Sequence, residues 1–296
     1  MIGLNNWRTR QAIVAYALLL PAIVYFATYF FYPIAAEFWA SLYRGAALVG
    51  NSRFVGFANY LDALNDADVR DALVRTLIYA VATTGFTLAI GLGLATLLAG
   101  PTRADNIVRA IIFFPYIVSF VIVALMWKSL LDPYTGILNT ILNAVGLPGQ
   151  NWLSTPQTAL PTIIAVTVWK DVGYAMLIYV AAIQGIPAFL YEAASLDGAS
   201  PRQMFFWITL PLLTPATLFL TVISMITQLQ DLSAPYLLTD GGPASATRLF
   251  SLYVYQTAFE QLDFGYASTL SFLMFLVILA ITFVQFRLLG RQVSYE

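Results

Sequence analysis

The sequence contains no cysteine and no histidine among its 296 residues. Without cysteine no disulfide can form, and a metal site built on thiolate or imidazole ligands is excluded. The sequence also lacks the G-x-x-x-x-G-K-[ST] segment with which many ATPases hold phosphate groups. We therefore expect that the chain itself binds neither a metal cofactor nor ATP.

Charged residues are also scarce. Asp, Glu, Lys and Arg make up 10% of the chain, whereas they form about 25% of an ordinary soluble domain. The formal net charge is -1, so the strongly basic surface typical of nucleic-acid-binding proteins is missing. Hydrophobic residues, in contrast, reach 60%. This composition is typical of an integral membrane protein.

Six apolar segments account for that composition, and each has the length of about 20 residues that a bilayer requires. They are Ala12–Tyr32, Leu73–Ala99, Ile107–Leu130, Leu160–Ile186, Phe205–Leu229 and Ser268–Leu288. Every backbone polar group must be paired inside lipid, so these spans should be helices. The alternating pattern of a membrane β-barrel is absent. The sequence therefore predicts an all-α integral membrane protein with about six transmembrane helices.

The arginines give a weak prediction of orientation. With six spans both chain ends lie on one side, and the first span is too long for a cleaved signal peptide. The arginines on that side are Arg8, Arg10, Arg103, Arg109, Arg202, Arg287 and Arg291, against Arg44, Arg53, Arg70, Arg75 and Arg248 opposite. By the positive-inside rule, we expect cytoplasmic N- and C-termini. Loops at about 35–72, 131–157 and 231–266 would then lie outside, and the loop at 187–211 inside.

The polar stretch between the fourth and fifth apolar segments predicts a helical hairpin. Pro187 suits the first turn of a helix, and the Ala and Leu residues within Phe189–Asp197 favour helix formation. Gly198 suits the left-handed position that ends a helix. Ser200 and Gln203 have the spacing of a capping box, which starts a second helix.

The same stretch, from Glu192 to Pro211, reads EAASLDGASPRQMFFWITLP. It resembles the E-A-A-x3-G-x9-I-x-L-P loop of permease subunits from binding-protein-dependent ABC importers, and every named position matches. The resemblance implies that residues 1–296 form one transmembrane domain with the type I ABC importer fold, and that this loop transmits ATPase motion to it. The implied coupling residues are Glu192, Ala193, Ala194, Asp197, Gly198, Arg202, Ile208 and Pro211. Without the full spacing, an ordinary cytoplasmic hairpin would be the simpler interpretation.

Three shorter stretches resemble the carbohydrate-uptake branch of these importers. They are the F-V-G-F-A-N-Y run at Phe54–Tyr60, the T-D-G-G-P turn at Thr239–Pro243 and the V-Q-F-R run at Val284–Arg287. The first is equally explained as a glycine turn among interfacial aromatic residues, and the second as a strong turn signal.

The resemblance implies partners and a cofactor. The partners are a homologous second permease subunit, two ATPase subunits that bind ATP and Mg, and an extracytoplasmic substrate-binding protein. All would assemble at the cell's inner (cytoplasmic) membrane. The chain itself would be a transport subunit without enzymatic activity.

Polar side chains within or beside the spans are candidates for the substrate pathway, because burying them in lipid is costly. The candidates are Lys170, Asp171, Tyr174, Gln228, Gln230, Asp231 and Tyr236. Gln228 and Asp231 are three residues apart, so we expect them on one helical face. The alternatives are pairing with a neighbouring helix or with a sister subunit for Lys170 and Asp171, and a hydrated helix end near the outer surface for Gln228, Gln230 and Asp231.

Small residues and prolines predict features of the spans. Gly91 and Gly93 predict close helix packing in the second span. Pro211 and Pro215 each remove a backbone donor, which predicts a bend at the start of the fifth span.

Other classes of function fit less well. An ion-coupled secondary transporter would typically show inverted repeats, which we do not find. A membrane enzyme would need His, Cys or clustered carboxylates. We expect the substrate to be a neutral sugar, oligosaccharide or polyol. The alternative is a glycerol-3-phosphate or glycerophosphodiester ligand, for which Lys170 is the only cation deep in a span.

Overall fold

A computed structural model describes residues 7–45 and 53–289, and it is built almost entirely of helices. The helices of the first half are α1 (Trp7–Phe26), α2 (Tyr32–Ser41), α3 (Ala58–Asn65), α4 (Ala67–Leu98), α5 (Arg103–Ile117), α6 (Phe120–Leu130) and α7 (Ile137–Ala144). Those of the second half are α8 (Pro156–Gln184), α9 (Ala188–Leu196), α10 (Pro201–Met204), α11 (Leu210–Leu212), α12 (Thr214–Leu229), α13 (Ser233–Thr239), α14 (Phe250–Tyr255) and α15 (Phe264–Leu289). The predicted all-α class is confirmed.

Shorter elements complete the chain. π-helical turns occupy Ala27–Phe31, Phe205–Thr209 and Gln256–Glu260. A small antiparallel ribbon pairs β1 (Tyr43–Arg44) with β2 (Arg53–Phe54), and Tyr43 lies opposite Phe54. The sequence had not predicted this ribbon.

Within the described residues, four continuous helices are long and apolar enough to cross a membrane: Arg10–Ser41, Ala67–Leu98, Pro156–Gln184 and Phe264–Leu288. Two bent helix pairs bring the number to six when each pair is counted as one span. The six predicted segments correspond to these spans. The helices extend beyond several predicted ends, since amphipathic and charged residues at the membrane edge continue the helix after the apolar run stops.

The third predicted span, Ile107–Leu130, is not one continuous helix. The structure breaks it into α5 and α6, which meet at an angle of 99°. Val118 and Ser119 have extended backbones with ψ of 137° at both residues. Pro115 lies three residues before the break, and its missing N–H weakens the last turn of α5. An apolar count alone could not reveal this break.

The fifth span bends where the prolines predicted. Pro201–Leu212 and Thr214–Leu229 meet at 61°, with Pro211 before the break and Pro215 after it. The π-helical turn at Phe205–Thr209 precedes the bend. The predicted bend is confirmed, and both of its causes, a missing donor and a widened turn, are local.

Backbone packing divides the described residues into two compact units. One comprises the chain up to Asn65 together with Val254–Met274, and the other comprises Asp66–Tyr253 together with the chain from Phe275. The prediction of a single transmembrane domain with its three outer loops stays a prediction.

In the first unit, the F-V-G-F-A-N-Y run has a structural role. Asn59 is fully buried, and its amide donates to the carbonyls of Ser41 at 3.0 Å and Tyr43 at 2.8 Å. The Tyr60 hydroxyl and the Ser41 hydroxyl are 2.6 Å apart. Gly56 has a φ of +58°, as its place in the turn requires. These bonds fix the end of the first span to the helix that follows.

In the second unit, α8 packs against α4 and α5 at backbone distance. A Cβ added at Gly91 of α4 would lie 2.9 Å from the Cβ of Ala175, and one at Gly173 would lie 2.4 Å from the Ile112 carbonyl oxygen of α5. The predicted close packing is therefore confirmed at Gly91. It is wrong at Gly93, where no described atom lies within 4 Å of an added Cβ, because this residue lies on another face of α4.

The remaining short resemblances are also placed. Thr239–Pro243 forms the expected turn, with Asp240 at φ 52° and Gly241 at φ 79°. The V-Q-F-R run lies in the last turns of α15. Arg291 and the two chain ends, to which the orientation prediction refers, lie outside the described residues, as does the side chain of Arg8.

Candidate functional site

The first candidate region is the hairpin of residues 187–211. Its first helix, α9, begins directly after Pro187, which has an extended ψ of 129° and occupies the N-cap position rather than the predicted first turn. The helix ends at Leu196. Gly198 follows with φ of +79°, and the Ala199 N–H donates to the Ala194 carbonyl at 2.9 Å. This is the left-handed helix ending that the sequence predicted.

A capping box starts the second arm of the hairpin. The Gln203 side-chain oxygen accepts from the Ser200 N–H at 2.8 Å, and the Ser200 hydroxyl accepts from the Gln203 N–H at 3.4 Å. These bonds pair two backbone N–H groups, of Ser200 and Gln203, for which the helix itself has no acceptor. The predicted cap is confirmed.

The charged residues of the hairpin point into solvent. Glu192, Asp197 and Arg202 are exposed, and their side chains form no hydrogen bond or ion pair with any described residue. Ala193 and Gly198 are also exposed, and Leu196 is 88% exposed. The tip therefore offers free charges around a small-residue surface and one protruding leucine.

The last two predicted coupling residues along the chain, Ile208 and Pro211, lie in the second arm of the hairpin. Ile208 is half-buried within the π-helical turn, and Pro211 is exposed just before the bend. The Tyr191 hydroxyl bonds the buried Thr209 hydroxyl at 2.9 Å and so ties the two arms together. No sequence pattern predicted this hydrogen bond, because Tyr191 and Thr209 come together only after the hairpin has folded.

The second candidate region is a polar cavity of about 450 Å³, called here the wide cavity. Its wall is formed by the first residue of α6, by α8, by the end of α12 and by the start of α13. The lining residues are Phe120, Thr167, Lys170, Asp171, Ile226, Thr227, Gln228, Gln230, Asp231, Leu232 and Ser233. Five of the seven residues predicted for the substrate pathway therefore lie around one cavity.

Lys170 and Asp171 are adjacent on α8 and contact different helices. The Lys170 ammonium donates to the Tyr116 carbonyl at 3.0 Å and lies 5.0 Å from the centre of the Tyr116 ring. This carbonyl is at the C-terminal end of α5, where a positive charge is stabilised. The Gln228 amide of α12 donates to the Asp171 carboxyl at 2.9 Å.

Asp231 lies beyond the end of α12, which stops at Leu229, so the prediction that it continues this helix is wrong, although Gln228 and Asp231 do line the same cavity. Its carboxyl accepts from the buried Tyr79 hydroxyl at 2.5 Å and from the Ala234 N–H at 3.2 Å. The Tyr79 hydroxyl also lies 3.0 Å from that of Thr167. Tyr79 was missed, since it is 152 residues away from its partner in the chain.

A second, smaller cavity of about 80 Å³ adjoins the first and is called here the narrow cavity. It is lined by Thr87, Leu88, Tyr116, Asp171, Tyr174, Ala175, Leu220, Ile223, Ser224, Thr227 and Gln228. Tyr174, the sixth predicted residue, lies here, and its ring stacks on Tyr116 with centroids 4.9 Å apart. Tyr236, the seventh, is 40% exposed on α13 and lines neither cavity.

Comparison with known families gives a match over residues 70–295, to the model described as "Binding-protein-dependent transport system inner membrane component". The chain is 32% identical over 280 residues to the trehalose/maltose transport system permease protein MalF of Thermococcus litoralis, covering 95% of both chains. It is 30% identical over 291 residues to the sn-glycerol-3-phosphate transport system permease protein UgpA of Pectobacterium atrosepticum, covering 97% of each.

The fold is also found among solved structures. A chain from the crystal structure of a bacterial alginate ABC transporter, in complex with an alginate pentasaccharide-bound periplasmic protein, superposes with a TM-score of 0.84 at 26% identity. The superposition covers 96% of this chain and 97% of that one. The helical fold of this chain is therefore that of a type I ABC importer permease.

Proposed function

This chain belongs to the family of binding-protein-dependent transport system inner membrane components and is a multi-pass permease subunit of an ABC importer, and we propose that it carries a neutral sugar, oligosaccharide or polyol. Its relatives include a permease named for trehalose and maltose and another named for glycerol-3-phosphate. The choice between these ligand classes depends on the charges around the wide cavity.

The observation that carries the proposal is the pairing of those charges. The wide cavity has two carboxyl groups, Asp171 and Asp231, and one ammonium group, Lys170. The ammonium already donates to the end of α5, and the carboxyl groups would repel a phosphate. A phosphate ligand would want free Arg or Lys side chains. A neutral ligand rich in hydroxyl groups suits the amides, carboxyls and aromatic rings present.

The hairpin supports the second part of the proposal, which is coupling to separate ATPase subunits. Its exposed Glu192, Asp197 and Arg202 have the chemistry to pair with opposite charges on a partner. The ATPase subunits would bind ATP and Mg, a homologous permease would complete the membrane domain, and a substrate-binding protein would deliver the ligand. In this assembly the hairpin faces the cytoplasm, both chain ends lie on that side, and the loop after Asp231 faces outward.

Purification from native membranes in mild detergent tests the assembly, with the co-purifying subunits identified by mass. We expect a second permease with its own E-A-A loop, an ATPase and no nucleic acid. Glu192→Lys reverses the charge at the hairpin tip and should release the ATPase from the inserted permease, whereas Glu192→Gln should retain more of it. Retention of the ATPase in stoichiometric amounts by Glu192→Lys would contradict the coupling assignment.

Uptake into cells that contain the whole importer tests the substrate class. Labelled trehalose, maltose, sorbitol and glycerol-3-phosphate make a suitable panel. We expect uptake, or competition with uptake, by the neutral compounds and none by glycerol-3-phosphate. Selective uptake of the phosphate would replace the neutral class with the anionic one and would show that the sister subunit or binding protein outweighs the charges described above.

A further inference from the structure

The wide and narrow cavities meet at one place. Asp171, Thr227 and Gln228 line both of them. On α8 the wide cavity has Thr167, Lys170 and Asp171, and the narrow cavity has Asp171, Tyr174 and Ala175. On α12 the narrow cavity likewise continues away from the shared residues, toward Leu220. The cavities therefore follow one another along the helix axes, with the shared residues between them.

The Asp171–Gln228 hydrogen bond lies at that junction. It joins α8 to α12 at 2.9 Å, and only 3% of Gln228 is exposed. The bond is an amide-to-carboxyl contact, for which a water molecule or a ligand hydroxyl group can substitute without any change in charge. This contact can therefore close the passage and open again without leaving a buried group unpaired.

The narrow cavity has its own unsatisfied polar group. The Thr87 hydroxyl is buried and has no hydrogen-bond partner among the described residues. Buried polar groups are normally paired, and where no protein group is available the partner is an ordered water or a ligand. Ser224, Thr227 and Gln228 supply further polar groups around the same space. The narrow cavity is thus suited to hydration, as the wide one is.

We propose that the Asp171–Gln228 pair is a barrier between two hydrated compartments of the ligand path, closed in this conformation by its single hydrogen bond. The proposal rests on the proposed function, because it assumes that the two cavities belong to a transport path. It assigns to Gln228 a gating role at the junction of the two cavities, in addition to its place in the wall of the wide cavity. Removal of the amide should join the compartments.

The absence of cysteine allows a direct test, because any introduced cysteine is the only thiol in the chain. Ser233→Cys places a thiol at an exposed position of the wide cavity. Thr87→Cys places one in the narrow cavity at a hydroxyl that has no bond to lose. Each is combined with native Gln228, with Gln228→Ala, or with the control Gln157→Ala, an exposed glutamine near the start of α8. The complete importer is labelled by a membrane-impermeant maleimide in right-side-out and inside-out vesicles.

With native Gln228, we expect the Thr87→Cys variant to be labelled at least about tenfold more slowly than the Ser233→Cys variant. Both rates are measured from the side of the membrane on which Ser233→Cys reacts. Gln228→Ala should bring the two rates to within about threefold of each other, and Gln157→Ala should leave their ratio unchanged. Equal rates with native Gln228, or a ratio that Gln228→Ala does not change, would overturn the barrier. If neither thiol reacts from either side, the cavities are not hydrated compartments and the proposal also fails.

The same data separate failure of the barrier from failure of the proposed function. Both thiols reacting together from one side would remove the barrier but leave a continuous polar path, as a permease requires. Absence of reaction at both would instead challenge the transport path itself. Recovery of inserted, assembled importer with each variant confirms that any change of rate reflects access rather than misfolding.

Discussion

Charged side chains are unpaired at the hairpin tip and paired around the wide cavity. At the tip, Glu192, Asp197 and Arg202 are exposed and form no bond with any described residue. Around the cavity, Lys170, Asp171 and Asp231 each have a partner on another element. Surface charges cost little to keep unpaired, whereas buried ones must be compensated.

This difference in pairing indicates two roles: recognition of another protein at the tip, and linkage of helices around the cavity. The tip has two capped helix ends and free charged side chains, and such side chains can pair with groups on another protein. The cavity has satisfied side chains that link helices, so a ligand entering it must compete with bonds already made. Substitutions at the tip should therefore affect coupling more than stability, and those around the cavity should affect stability as well as transport.

The largest expected effect is at Gly198, whose φ of +79° favours glycine. Gly198→Val should abolish most uptake, because a β-branched residue strongly resists the left-handed conformation. Gly198→Asn should keep a substantial part of it, since Asn adopts that conformation more easily. Uptake per inserted importer, measured against ATP hydrolysis, checks this pair. Equal activity in both variants would mean that the backbone conformation at the tip is unimportant for coupling.

Tyr79→Phe should have the next largest effect, this time on stability. It removes the hydroxyl that donates to the Asp231 carboxyl at 2.5 Å, and loss of a hydrogen bond to a charged group costs about 1.5–3 kcal/mol. Thermal unfolding in detergent should show a clear fall in midpoint. The control Tyr134→Phe changes a tyrosine that is 94% exposed and should shift stability by less than about 0.5 kcal/mol.

Lys170→Met tests whether a charged residue of the wide cavity stabilises the fold or binds the ligand. The ammonium bond to the Tyr116 carbonyl is lost, at a cost of about 1 kcal/mol because the group is partly exposed. If Lys170 mainly holds the broken third span, thermal stability falls while KM for a neutral ligand stays within about threefold. Lys128→Met, which changes an exposed lysine of α6, is the control. A large rise in KM without loss of stability would instead make Lys170 a ligand-binding group.

Ser200→Ala should have the smallest effect and tests the rigidity of the tip. It removes one half of the capping box, which costs about 1 kcal/mol of local helix stability. Amide hydrogen exchange should rise in residues 200–204, while uptake falls modestly. Ser195→Ala, which removes a hydroxyl bond to the Glu192 carbonyl outside that cap, should not raise exchange there.

The sequence predicts a region well when the interactions that shape it join residues close together in the chain. The hairpin was predicted almost to the residue, because proline, glycine and the Ser200–Gln203 pair act over three or four positions. The apolar spans were predicted for the same reason. The cavity contacts join residues far apart, such as Tyr79 with Asp231 and Asp171 with Gln228, 57 positions apart.

The 99° break in the third span shows the same limit. Its proline was visible in the sequence, but Lys170 of another helix is what binds the carbonyl at the broken end. The choice of face at Gly91 rather than Gly93 also depends on where α8 lies. Only the packed helices decide such questions.

The continuous helix α8 has one more consequence. It runs without a break from the cavity to the residues just before the hairpin, and the 13 positions from Asp171 to Gln184 extend about 20 Å at the helical rise. Close backbone packing at Gly91 and Gly173 leaves little room for α8 to shift toward α4 or α5, so we expect it to move as one stiff rod. A tilt of about 5° at one end then displaces the other by roughly 2 Å. Such a displacement is enough to separate a carboxyl group from an amide that it touches at 2.9 Å.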